Sequence, residues 1–329
     1  MYSTPFLRYR FSSAAQIVRL AGGNEKVTHR RLRRLWERGL VARWPFPGFR
    51  THSEFYYYLD NREPLDLLAE RRRLEIRPQM LDEIRSHREK DYASAAIRGQ
   101  HMQLGFLNHG LMISRVHFMV EMACRKSGGA VSLEAWCQGG QIAGHKAEVP
   151  KVKSSRDGGE LFWQEADETE RVPVEPDALF TLRFKDRAEE KQLNHFFYEA
   201  DRGTMVMTDI LKKFRGYHHF IKRQQRHKVA FGVHPIRAVL VETTDEARGR
   251  KLMELACHPL VGGAARRAAL FWFSICPLFS DPTENVDGGP AGRGQPHFLD
   301  HPEVILHSIF APPDRTMHAI GDAENSTAL

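Results

Sequence analysis

The apolar positions change their spacing along the chain. Near the N-terminus they follow a helical period. Ser13 and Gln16 stand at capping-box spacing ahead of Ile17 and Leu20, which predicts a short helix over Ser13–Leu20 ended by Gly22 and Gly23. A second helix, over Val27–Arg38, places Leu32, Leu35 and Trp36 at i, i+3, i+4, and Gly39 supplies its left-handed stop. Leu40–Trp44, a Pro45-Phe46-Pro47-Gly48 turn and the aromatic-rich Phe49–Leu59 then read as a hairpin. Helix, turn, helix, hairpin is the order of a winged helix-turn-helix.

Residues 63–100 are charge-dense and helical in character, punctuated by Pro64 and Pro78. From Leu104 to Cys124 a rough helical stripe passes through Leu107, Leu111, Phe118 and Met122, and Gly128-Gly129 breaks it. Beyond that point the apolar runs are short. Ser132–Cys137, Ala178–Phe184, His195–Ala200, Ile236–Val241 and Leu270–Ile275 read as strands, with helices near Val206–Arg223 and Asp245–Cys257. The polar stretch 139–171 reads as a loop, and the Gly- and Pro-rich tail from Asp281 as loop with partial disorder. The order α-β-β-β-α-β-α-β predicts a mixed sheet flanked by helices, an α/β fold. The expected organisation is a DNA-binding domain over 1–62, a helical connector over 63–100, an α/β domain over 101–280 and a tail over 281–329.

Charge sharpens the picture of the N-terminal segment. The 329-residue chain carries a formal charge of +7, but its first fifty residues hold eleven Lys/Arg against two Glu. The rest is therefore slightly acidic. A basic head on a near-neutral body suits phosphate neutralisation, and Arg30, Arg31, Arg33, Arg34 and Arg38 lie off the apolar face of the second helix, where they could reach phosphates or guanine edges. A solvated charged face is the plainer reading of the same residues. Four widely spaced cysteines form no CxxC pair and read as reduced core thiols. No apolar run reaches the roughly 18 residues of a membrane span, so a cytoplasmic protein without membrane contact is expected.

Acidic residues interrupt the apolar strands at one place. Asp177 opens a strand after Pro176, and Glu199 and Asp201, two residues apart, project from one face of the next. If these strands pair as a hairpin, the three carboxylates can converge on one hard cation, Mg²⁺ or Mn²⁺, which activates water and stabilises phosphoryl charge. Lys212, Lys213 and Arg215 on the following helix would suit a phosphodiester, and Lys213 shares a face with Tyr217. On the plainer reading of so short a motif, Asp177 is a turn residue, Asp201 and Gly203 form a turn, and Glu199 pairs with a nearby Arg. His218, His219 and His227 lack zinc-ligand spacing and read as surface or nucleic-acid contacts. Tyr198 and Tyr217 have no three-histidine cluster beside them and read as packing or phosphate contacts rather than nucleophiles.

The pattern resembles the replication-relaxation (relaxase-like) family of bacterial plasmids and integrative elements. The resemblance rests on VTHRRLRRLWERGLV at 27–41, the hairpin end at 55–59, His109, PDALF at 176–180, YEADRGT at 198–204, Lys213 with Tyr217, and IRAVLVETTDEARGRKL at 236–252. It implies a winged helix joined to a restriction-endonuclease-like domain of the PD-(D/E)xK kind, with Asp177 and Glu199 as metal ligands. Asp201 stands where that motif usually has lysine, so either Lys212 or Lys213 supplies the role from the helix or cleavage has been lost. The implied function is a double-stranded-DNA-binding protein of replication or mobilisation, a metal-dependent nickase using Asp177, Glu199, Asp201 and Lys213, or else a non-catalytic regulator. Replication or mobilisation proteins are the implied partners, and a homodimer is left open.

Overall fold

The computed structural model describes residue 9 and residues 11–45, 55–59, 63–72, 100–157, 160–261, 270–275, 301–306 and 310. The chain divides into two compact units, one drawn from residues 1–126 and 281–304, the other from 127–280 and 305–329.

In the first unit, β1 (Ser12–Ser13) leads into α1 (Ala14–Ala21) and α2 (Glu25–Glu37). The expected capping box forms: the Ser13 hydroxyl accepts from the Gln16 N–H, and the Gln16 side chain accepts from the Ser13 N–H. Asn24 caps α2, and Gly39, at φ +67°, takes the left-handed turn that ends it. Strands β2 (Ala42–Pro45) and β3 (Phe55–Tyr58) pair antiparallel, and β3 also takes up β1, giving the order β1-β3-β2. The expected turn at 46–48 lies outside the described residues. Ile17, Leu32, Val41, Tyr57 and Leu59 form this small core. Trp36 departs from the expected apolar face. It is 39 % exposed, and the Arg43 guanidinium stacks 3.4 Å from its ring centroid and 4.3 Å from that of Phe55. Helices α3 (Glu63–Arg72) and α4 (Gln100–Lys126) complete the unit. The hydroxyl of Tyr9 donates to Glu121 at 2.5 Å, and Glu121 also pairs with Arg125.

The second unit is α/β. Strands β4 (Val131–Gln138), β7 (Ala178–Phe184), β8 (Leu193–Asp201), β9 (Ile236–Thr243) and β10 (Phe271–Ile275) lie in chain order across one mixed sheet. Only β7 runs against its neighbours: it is antiparallel to β4 and β8, while β8, β9 and β10 are parallel. Helices α5 (Met207–His218) and α7 (Glu246–Ala256) serve as the two crossovers of the parallel part, with the short α6 (His227–Phe231) between α5 and β9. Ile210, Leu211, Phe214 and Tyr217 recur at helical spacing on α5 and pack on Leu179, Phe197, Val239, Val241 and Phe271 of the sheet. Phe214 and Phe271 stack with ring centroids 4.5 Å apart.

The polar stretch expected as a loop is instead a long antiparallel ribbon, β5 (Lys146–Asp157) with β6 (Glu160–Pro173). Its apolar alternation is sparse: Ala147, Val149 and Val172 are buried against α5, and charged residues surround them in sequence. Around these described positions a period-two pattern so thinly apolar is indistinguishable from loop composition. The ribbon's root is fixed by polar contacts as well. Lys212 pairs with Glu170, Arg215 donates to the Pro150 carbonyl at 2.6 Å, and Gln224 bonds the backbone of Glu148 in both directions. Of the tail, only 301–306 and 310 are described, and Ile305 and Phe310 are fully buried. Cys124, Cys137 and Cys257 are free thiols, and burial pushes the Cys124 thiol up to about 12. Among the described residues no helix is long and apolar enough to cross a membrane.

Gly216 is where α5 meets the ribbon most closely. A Cβ there would lie 2.9 Å from Cγ1 of buried Val172. Gly216→Val therefore forces overpacking and lowers stability by about 1–3 kcal/mol. A reduced urea midpoint with an unchanged slope is the expected result, and an unchanged midpoint would contradict the close approach.

Candidate functional site

The antiparallel pairing of β7 and β8 brings the predicted acidic residues together at one end of the sheet. Ala178 lies opposite Tyr198 in the register, so Asp177 lies across from Glu199. Its N–H donates to the Tyr198 carbonyl at 3.0 Å, and its Oδ2 accepts from the Ala200 N–H at 2.8 Å. Asp177 is thus both a strand-end residue and a member of the cluster.

Glu199 projects from β8 into the apolar layer beneath α5. One turn apart on that helix, Lys213 and Tyr217 meet it. Lys213 Nζ lies 2.5 Å from Glu199 Oε2, and the Tyr217 hydroxyl donates to Oε1. Burial raises the Glu199 carboxyl to about 7; the Lys213 charge opposes that rise and nearby Asp177 adds to it. Burial opposes the charge on Lys213, but Glu199, Asp177 and Asp201 together hold its ammonium above the ordinary value. Tyr217 is pushed well up by burial and by the adjacent carboxylate.

Asp201 does not join this group, contrary to the expected convergence of three carboxylates. The Arg248 side chain from α7 grips it with two N–H groups, Nε to Oδ2 at 2.6 Å and Nη2 to Oδ1 at 2.9 Å. Thr243 donates to Oδ2 and the Gly203 N–H to Oδ1, the latter forming a turn after the strand. Arg248 also reaches the Met205 carbonyl, so Asp201 anchors the loop that leaves β8. Arg248 is 47 residues from Asp201 in sequence, and no local spacing could have identified it. Lys212, the other helix lysine, turns away to Glu170.

Among the described residues no group of three or more His, Cys, Asp or Glu is arranged to hold a metal ion. What the cluster offers is two oxygen donors, Asp177 and Glu199. Burial sets the upward push on the Glu199 carboxyl, Lys213 opposes it and Asp177 adds to it. Asp177 and Glu199 are oxygen donors of the type that could hold Mg²⁺ or Mn²⁺, both Glu199 oxygens are engaged by Lys213 and Tyr217, and Asp201 drops out of the expected set. His218 and His227 are buried rather than surface residues, and His227 Nε2 lies 3.3 Å from His234 Nδ1. Tyr198 is buried and donates to Glu242 at 2.7 Å, so both tyrosines are packed in the core.

Of the expected DNA-contacting arginines, Arg30, Arg31, Arg33 and Arg34 lie exposed on α2, and Arg38, also exposed, is its C-cap. Arg33 pairs with Glu37 at 2.8 Å. The side chains of Arg30 and Arg34 engage no acidic partner among the described residues.

The Glu199 shift has a pH consequence. The folded state binds this proton more tightly than the unfolded chain, whose carboxyl titrates near 4.5. Stability due to Glu199 therefore falls as pH rises from about 4.5 to about 7 and is flat above. In metal-free buffer the urea midpoint of the wild type should decline across that window, and Glu199→Gln should flatten the decline. An equal slope in both proteins would rule out Glu199 as its source.

A family model described as replication-relaxation matches residues 7–235, well over half of the chain. Comparison with curated proteins and with solved structures gives no match. The matched span takes in α2, the strand pair bearing Asp177 and Glu199, and the helix bearing Lys213 and Tyr217. The chain belongs to the replication-relaxation family.

Proposed function

We propose that this protein binds double-stranded DNA in the replication, relaxation or mobilisation of a plasmid or integrative element, and that Asp177, Glu199 and Lys213 form a phosphodiester-cleaving site of the PD-(D/E)xK kind. The observation that carries the reading is Lys213 Nζ at 2.5 Å from Glu199, with Asp177 across the strand pair. An aspartate, a glutamate and a lysine are the three groups of that motif, and here the lysine comes from the next helix. The mixed sheet with helical crossovers supports the same reading.

Mg²⁺ or Mn²⁺ held by Asp177 and Glu199 would stabilise phosphoryl charge and generate a nucleophilic water. The protein's own groups do the positioning. Tyr217 holds the Glu199 carboxylate in place, and Lys213 sets a positive charge where a phosphodiester would carry developing negative charge. Recognition falls to the other unit. Its order of β1, two helices and a hairpin in a three-stranded sheet supports a winged helix in which α2 enters the major groove. Arg30 and Arg34, with no acidic partner among the described residues, are then placed to meet phosphate or guanine. Replication or mobilisation proteins are the partners such a role implies.

A second reading has an observation in its favour. Both oxygens of Glu199 already accept from Lys213 and Tyr217, an arrangement equally suited to a scaffold that has lost cleavage. The two readings separate by titrating Mn²⁺ into wild type and Asp177→Ala/Glu199→Ala, with nicking of supercoiled plasmid assayed on the same samples. Metal binding and nicking that vanish together in the variant are expected. Wild type that takes up no metal and leaves the plasmid intact would leave the regulator reading.

DNA recognition is tested apart from cleavage. Arg30→Ala/Arg34→Ala should weaken duplex binding and make log affinity less steeply dependent on log salt, by about one for each phosphate no longer neutralised. A variant that binds with wild-type affinity and salt slope would remove α2 from the interface.

A further inference from the structure

The loop that leaves β8 presents a cation the proposed site has not used. Arg202 follows Asp201 directly and is half-buried. Burial disfavours its charge, and Asp177 and Asp201 lie close enough to favour it in part. Yet its guanidinium makes no hydrogen bond or ion pair among the described residues: Asp201 is taken by Arg248, Thr243 and the Gly203 N–H, and Asp177 accepts from the Ala200 N–H. A guanidinium presents five N–H donors in a planar fork. None of its nitrogens is among the buried atoms without a partner, so the fork opens to solvent and is free to meet a ligand.

The backbone that carries Arg202 is held firmly. The bidentate Asp201–Arg248 pair closes the loop on one side, with both side chains only 13 % exposed. Arg248 also binds the Met205 carbonyl, and Gly203 turns the chain at φ +78°. Beyond the turn, Met205 and Val206 are neighbouring apolar side chains left 41 % and 61 % exposed. A fixed loop thus offers a solvent-accessible planar cation beside Asp177 and, a few residues on, two apolar side chains.

We propose that Arg202 is a phosphate-binding residue that clamps a nucleotide phosphodiester beside Asp177 and Glu199, with Met205 and Val206 bordering the nucleotide's apolar face. The assignment rests on the nuclease reading for its location and extends it by naming the residue that grips the substrate. It also gives Asp201 a role: the carboxylate is an anchor that holds the clamp, not a ligand. A guanidinium fork matches two phosphate oxygens at once, which an ammonium does not.

The test uses the full chain and thymidine 3′,5′-bisphosphate as probe, titrated calorimetrically into wild type, Arg202→Ala, Arg202→Lys and Lys151→Ala, with thermal melts on each. Lys151 is a half-exposed ribbon cation paired with Glu168, and its variant should bind as wild type does. Arg202→Ala should weaken binding about ten-fold or more, as expected for removal of a charge-assisted hydrogen bond, and Arg202→Lys should recover part of it. Unaltered affinity in Arg202→Ala, an equal loss in Lys151→Ala, or no binding by wild type would each overturn the assignment. Plasmid nicking on the same samples separates the two claims: a wild type that binds the probe through Arg202 without nicking keeps the clamp and removes the nuclease.

Discussion

A carboxylate buried under an apolar helix must be compensated, and the second unit is organised around that requirement. Glu199 sits on the strand face that also carries Phe197, beneath a helix that is otherwise apolar there. Removing a charged group from water costs several kcal/mol unless partners replace the lost hydration. Lys213 and Tyr217 do so from consecutive turns of α5, which fixes both the rotation of the helix on the sheet and its height along β8. Apolar packing alone would tolerate sliding by a turn. The polar pair does not.

Much of this is legible in the unfolded chain. Periodicity marks α1, α2, α5, α7 and all five strands of the mixed sheet within a few residues, because each carries a dense apolar stripe or run. The capping residues Ser13 and Gln16 and the glycine at 39 fix helix ends by local chemistry alone. Strand alternation places Glu199 and Asp201 on one face, and helical spacing places Lys213 with Tyr217. What periodicity cannot reveal is which partner each residue takes. Asp201 is drawn off by Arg248, an interaction fixed by how α7 packs rather than by anything near Asp201 in sequence. The plainer reading of that residue, a turn with Gly203, is also realised. Two interpretations that compete in sequence can coexist in structure.

The ribbon of β5 and β6 illustrates a different limit. Its strands are long, yet among their described side chains only a few apolar ones, such as Ala147, Val149 and Val172, are buried, so little marks them as strand in sequence. Its pairing is sustained by the backbone ladder and by a root tied to α5. Trp36 errs in the opposite direction: an aromatic at core spacing is held at the surface because Arg43 stacks on it. In both cases a neighbour from elsewhere in the chain decides the outcome.

The ribbon's root and the carboxylate cluster are mounted on the same three turns of helix. Lys212, Arg215 and Gly216 face Glu170, Pro150 and Val172, while Lys213 and Tyr217, interleaved with them, face Glu199. A helix this short behaves as a rigid rod. Whatever tilts the ribbon also tilts the rod, and with it the lysine and the tyrosine that hold the carboxylate, so ribbon and cluster are geared together although they share no residue.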